Sequence, residues 1–183
     1  MSRKKLVGLA AVTLAIGLGG CTNERVVADI PSAAYTASEV SYAGGDRDFW
    51  VIVQGNPFTV DQQQLDQAVT ERMRNRIMGV RTNFTTRPNE TARKLYRVVF
   101  VFNPSETTMK SELCSRDRIP TLPPGGPIVM LGAFCRGTGA LTTATGWLDR
   151  PQGLNDEDFR HLVSDMTYSL FPNERAEVEI EIP

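Results

Sequence analysis

The chain has 183 residues, with 20 Lys and Arg against 21 Asp and Glu, a formal net charge of −1 and three cysteines. This near-neutral balance gives no electrostatic reason to bind nucleic acid, and the length fits a single domain with its own core. No internal repeat or long low-complexity tract divides it.

The chain opens on basic Arg3, Lys4 and Lys5, followed by an apolar run from Leu6 to Leu18 and the small pair Gly19-Gly20. A cationic start, a short apolar run and small residues make a secretory leader. From Leu6 to Gly20 this stretch has about 15 residues, fewer than the roughly 20 that a spanning helix needs.

The ending Leu18-Gly19-Gly20-Cys21 resembles the lipobox of bacterial lipoproteins, with Gly19 where Ala or Ser is commoner. The resemblance implies cleavage after residue 20, a diacylglycerol on the Cys21 thiol and acylation of the new amine. Several acyl chains on one residue anchor firmly, whereas one chain holds only marginally. Thr22, in place of the Asp that often retains such proteins in the inner membrane, implies the outer membrane, facing the periplasm. Loss of residues 1–20 removes three basic residues and no acid, taking the net charge from −1 to −4.

Residues 21–45 are rich in Ala, Ser and Thr, with Pro31 and Gly44-Gly45, and show no sustained period. They are expected to form the lipidated, flexible tether, with Glu39 to Tyr42 as an optional short edge strand. The folded domain is expected over 46–183. Phe49-Trp50-Val51-Ile52-Val53 reads as a strand closed by Gly55-Asn56-Pro57. Asp61 is placed to cap a helix whose Leu65, Val69, Met73 and Ile77 recur every four residues as far as Gly79. Val80 to Thr85 alternates as a second strand. Leu95 to Phe102 is apolar on both faces, so this strand belongs in the middle of the sheet.

A polar stretch with Cys114 and the Pro/Gly-rich 120–127 follows. Ile128 to Cys135 and Ala140 to Leu148 then read as a hairpin turned at Arg136-Gly137-Thr138-Gly139. Asn155 is the expected cap of a second helix, with Glu157 and Asp158 in its first turn. Phe159, Leu162, Val163, Met166, Leu170 and Phe171 form the buried stripe of this helix, and Pro172 ends it. The tail alternates Val178, Ile180 and Ile182 against Glu177, Glu179 and Glu181, as an edge strand would. The expected fold class is α+β: a two-layer sandwich of a mainly antiparallel sheet of four or five strands with two amphipathic helices on one face.

With Cys21 lipidated, Cys114 and Cys135 remain, and in an oxidising compartment they read as one structural disulfide. The rival, a redox or metal pair, lacks Cys-x-x-Cys spacing, and the one histidine, His161, lies far along the chain. The wording at Gly55-Asn56-Pro57-Phe58, Tyr96-Arg97-Val98-Val99 and Ala133-Phe134-Cys135 resembles uncharacterised envelope lipoproteins of alphaproteobacteria, a likeness that covers most of the mature chain and implies no activity.

No set of residues singles out catalysis. His161 has the character of a helix-surface histidine, there is no Gly-x-Ser-x-Gly elbow, and Gly137-Thr138-Gly139 lacks the spacing and lysine of a phosphate loop. Asn83-Phe84-Thr85 and Asn89-Glu90-Thr91 match a glycosylation pattern that is coincidental in a bacterial lipoprotein. Asp156-Glu157-Asp158 suits helix capping better than a cation site. Arginines cluster between Arg72 and Arg97, and Arg74, Arg81 and Arg87 are candidates for a surface that meets an anionic envelope polymer or headgroup; ordinary solvated faces are the plainer account.

The expected function is therefore that of a membrane-anchored periplasmic lipoprotein: a non-catalytic binding, scaffold or accessory module of the cell envelope, with no cofactor, no metal and no nucleic acid, and an envelope protein or anionic polymer as partner. Two alternatives are a carrier of a small apolar ligand lined by Phe49, Trp50, Phe100, Phe102 and Trp147, and a hydrolase without a recognisable motif.

Overall fold

The computed structural model describes residues 23–173. The leader, Cys21 and the alternating tail of residues 177–182 lie outside the described residues. In chain order the elements are β1 (Glu24–Ala28), α1 (Ala37–Gly44), β2 (Asp48–Gln54), α2 (Gln62–Met73), β3 (Asn83–Thr85), β4 (Tyr96–Phe102), β5 (Ile128–Arg136), β6 (Gly139–Leu148) and α3 (Glu157–Leu170). The fold is α+β, as composition and periodicity indicate.

The strands form one open sheet in the order β1-β6-β5-β4-β2-β3. β2 runs parallel to both β3 and β4, while the β4–β5, β5–β6 and β1–β6 pairs are antiparallel. The sheet is thus mixed and larger than the four or five mainly antiparallel strands expected. The parallel part arises because α2 carries the chain back to the start of the sheet between β2 and β3, as crossover helices do. β4 and β5 hold the centre, and β4 is buried on both faces.

The largest departure lies at the beginning. Residues 24–45, expected as a tether, belong to the body of the domain. β1 zips onto β6 from Glu24 opposite Leu148 to Ala28 opposite Ala144. Strand alternation turns Val26 toward the core and Arg25 and Val27 away from it. α1 is capped by Thr36, whose hydroxyl accepts from the Glu39 N–H at 3.1 Å, and it buries Val40 and Ala43. Glu39 to Tyr42 is therefore helical rather than an edge strand.

Smaller boundary changes have local causes. α2 ends at Met73, because Asn75 takes a left-handed φ of 59° and breaks the turn, yet Ile77 still reaches the core. β3 keeps only three residues of the expected run. The cap of α3 is Asp156 rather than Asn155: its carboxylate accepts from Asp158 N–H at 3.1 Å and Gln152 N–H at 2.8 Å.

All three helices cover one face of the sheet, called here the helix face. Its core joins Val40, Leu65, Val69, Phe159, Leu162 and Met166 to Phe49, Phe100, Phe102 and Phe134. α3 comes close to the sheet because Gly132 and Gly146 lie beneath it. A Cβ on Gly146 would stand 2.6 Å from Leu162 Cδ1, and one on Gly132 would stand 2.8 Å from Met166 Cε.

On the opposite face a second, smaller core forms. The chain between β4 and β5 folds back so that Leu113, Cys114 and Ile119 pack on Val99, Val101, Leu131 and Ala133. The Cys114–Cys135 disulfide, with Cα atoms 5.6 Å apart, pins this cover to β5. Gln54 grips it from β2, with its amide oxygen accepting from Ile119 N–H at 2.7 Å and its amide nitrogen donating to Asp117 O at 3.1 Å. Lys110 pairs with Asp29, which also accepts from Thr143 of β6.

Candidate functional site

The three arginines singled out in the sequence do not converge. Arg87 follows β3 and reaches Gln63 Oε1 at 3.4 Å, beside the first turn of α2. Arg74 lies just past the last turn of the same helix, about 16 Å away at 1.5 Å per residue. Arg81 pairs with Asp46 at 3.2 Å, and both side chains are largely exposed. An exposed pair of this kind holds little free energy, so Arg81 stays available to other anions.

Arg81 does help to line an open groove of about 500 Å³ at the starting ends of β2 and β3, together with Arg47, Asp48, Asn83, Asn89 and Thr91. Its centre is Asp48, the first residue of β2 and nearly buried. One carboxylate oxygen accepts from the Asn83 side-chain amide at 2.7 Å, and the other from Asn89 N–H at 3.0 Å. Thr91 accepts from Asp48 N–H at 3.0 Å and donates to the Asn89 side chain at 2.6 Å. The two asparagines of the apparent glycosylation patterns are thus structural: they tie the loop after β3 to the start of β2. The Asp48 carboxylate is satisfied, Arg47 donates to Gly45 O at 3.0 Å and to Thr91 O at 3.4 Å, and Arg81 stands at the lining beside Asp46. The groove lining combines two arginines, two aspartates, two asparagines and two threonines.

A second polar cluster joins α1 to the sheet. Glu39 accepts from the Tyr96 hydroxyl at 2.5 Å and from Arg136 at 2.7 Å. These two partners, the tyrosine first and the guanidinium second, hold its carboxyl below the usual glutamate range. Beside them Arg93 stacks on the Tyr42 ring at 3.6 Å and donates to both the carbonyl and the hydroxyl of Tyr42. The cluster fixes α1 in place, a role invisible without the fold, although Thr36-Ala37-Ser38-Glu39 carries the capping-box spacing that announces the helix.

The other candidate residues separate as well. His161 is exposed on α3, 3.8 Å from Glu157 one turn earlier. Among the described residues no group of three or more His, Cys, Asp or Glu could hold a metal ion. The five aromatic residues considered for an apolar pocket do not surround one space. Phe49, Phe100 and Phe102 lie in the helix-face core, where Phe49 stacks on Phe84 and Phe102 packs on Phe159. Trp50 and Trp147 point to the opposite face, since neighbours along a strand alternate. Cys114 and Cys135 are joined as the sequence indicates.

No protein-family model matches the chain, and no curated protein matches it. Among solved structures, a variant PelC dodecamer from Paraburkholderia phytofirmans aligns with a TM-score of 0.46 and 11% identity, covering 82% of this chain and 99% of that one. A PelC dodecamer from the same organism aligns at 0.47 and 12%, covering 81% and 98%.

Proposed function

We propose that this protein is a lipid-anchored module of the bacterial envelope, held by Cys21 at the periplasmic face of the outer membrane, and that it binds a partner without catalysing a reaction on it. The observation that carries the reading is the Cys114–Cys135 bond. A structural disulfide persists outside the reducing cytosol. In an exported chain, Leu18-Gly19-Gly20-Cys21 then has a direct use as a lipidation signal. The groove around Asp48 supports the binding role, because Arg47, which donates to Gly45 O and Thr91 O, and Arg81, paired with Asp46, both line it and offer guanidinium groups to an anionic or polyhydroxyl partner.

Metabolic labelling with palmitate tests the anchor: the wild-type chain takes up label and fractionates with membranes, and Cys21→Ser loses both. An unlabelled wild-type chain overturns the anchor. In-cell cross-linking from Thr82 in the groove tests the binding role. A reproducible envelope partner that is lost in Arg81→Glu supports it, and recovery of free monomer alone rejects it.

A further inference from the structure

β1 begins three residues after Cys21, so little chain is left to act as a spacer. Four residue steps separate Cys21 from Arg25, a reach of at most about 14 Å even when fully extended. The polar headgroup layer is itself about 6 Å deep on each side of a bilayer. An acyl-bearing Cys21 therefore brings the β1 edge of the sheet against the membrane surface, and the domain cannot range freely above it.

The side chains at that edge are sorted by strand alternation. On the side away from the helices, Arg25 of β1 lies over the Trp147 ring of β6 at 4.3 Å. Val129 of β5 is the cross-strand neighbour of Trp147, and Val27 is half exposed. Arg150 adds a second exposed guanidinium, donating to the Asn23 side chain at 2.7 Å, two residues from Cys21. Asp149 lies beside it in the chain. On the helix side, by contrast, Glu24 lies near Asp165, His161 and Asp158; burial first and Asp165 next raise its carboxyl above the usual range, with His161 opposing them. One side of the edge is thus aromatic, apolar and cationic, and the other is acidic. Tryptophan rings favour the headgroup level of bilayers, and guanidinium groups favour phosphate.

We infer that Arg25, Trp147 and Val27 form a membrane-docking face that lays the sheet edge onto anionic phospholipid headgroups. The inference rests on the lipidation of Cys21 and adds an orientation to it: the face with Trp147 turns to the lipid, and the acidic helix layer turns away.

The test uses the full chain purified from membranes and reconstituted in phosphatidylethanolamine–phosphatidylglycerol vesicles that contain brominated acyl chains. Trp50→Phe makes Trp147 the single tryptophan of the two in the chain. The expected result is emission quenched about twofold by the brominated lipid, as for a ring at headgroup depth, with the quenching reduced by Arg25→Glu and unchanged by Arg74→Glu. The wild-type chain compared with Trp147→Phe gives the same contrast by difference, should Trp50→Phe impair folding. Absence of palmitate on the purified chain sinks the anchor itself. A palmitoylated chain whose Trp147 emission ignores brominated lipid overturns the docking face alone, as does quenching that Arg74→Glu abolishes and Arg25→Glu leaves intact.

Discussion

Asn103 and Val129 hold each other by two hydrogen bonds: the Asn103 N–H donates to Val129 O at 2.7 Å, and the Val129 N–H donates to the Asn103 side-chain oxygen at 2.9 Å. The side-chain amide replaces a backbone carbonyl in the ladder. That substitution lets the backbone turn to a left-handed φ of 46° and leave the sheet, while Asn103 O accepts from Leu122 N–H at 2.7 Å. One residue thereby ends β4, starts the long cover segment and receives its return. Asn103→Ala removes the side-chain acceptor and puts a Cβ-bearing residue without it in the left-handed region. A loss of about 2–3 kcal/mol is expected, read as a lower urea midpoint. Asn103→Gly keeps the backbone freedom and should lose less.

The disulfide holds a cover rather than a helix. Reduction, or the double change Cys114→Ser and Cys135→Ser, should lower stability by about 3 kcal/mol for a loop of this length. It should also expose Val99, Val101 and Leu131 on the open face without disturbing the helix-face core. Far-ultraviolet circular dichroism is expected to stay near native while a hydrophobic dye gains fluorescence. Loss of all helical signal at moderate temperature would contradict a separate second core.

Tyr35 sets an alkaline limit. Its ring is buried against Phe134 and its hydroxyl donates to Pro172 O at 2.6 Å. Burial pushes the phenol up from 10.0 to about 12. The neutral form is the one the fold accepts, so its contribution is complete below pH 10 and is lost as pH rises through about 12. Tyr35→Phe should cost about 1 kcal/mol at neutral pH through the lost hydrogen bond. It should also flatten the fall in stability above pH 10, measured as thermal midpoints across an alkaline series.

Glu39 sets an acid limit of opposite sign. Its folded carboxyl sits below the ordinary glutamate value of 4.5 because Tyr96 and Arg136 donate to it. The stabilisation is present above that value and is lost as pH falls through the depressed one. Glu39→Gln should make unfolding less sensitive to pH in this acid range, and Tyr96→Phe should shift the Glu39 titration, followed by nuclear magnetic resonance, back upward.

Gly146 is a matter of space. Because an added Cβ meets Leu162 and Met166, Gly146→Val should destabilise by about 1–3 kcal/mol through overpacking. Met166→Ala in the same chain should recover part of that loss, since the two changes share one volume. Strict additivity of the two thermal shifts would refute the contact.

Legibility in the sequence followed local signal strength. β4, the β5–β6 hairpin and the stripe of α3 are long and periodic, and they stand where the residues put them. β1 was obscured because Glu24-Arg25-Val26-Val27-Ala28 is short and half polar; its alternation has meaning only once β6 lies beside it. α1 is hidden in small residues, although Thr36 and Glu39 mark its start. The parallel placement of β4 beside β2 is a property of the whole sheet and leaves no trace in either segment. The disulfide was legible from counting cysteines, whereas the Asp48 groove depends on residues from three separate stretches. The arginine cluster was a sequence neighbourhood that the helix and the edge strand pull apart.

The pairing of Glu24 with Leu148 also fixes an order of events. A chain is synthesised from its amino end, and the first strand made here completes the edge of the sheet only after the hairpin it joins exists. Until then Val26 has no core to enter and an unpaired edge of β6 stands open. High contact order of this kind slows folding and prolongs exposure to aggregation, so the assembly step most in need of protection by a chaperone is the late closing of the earliest strand.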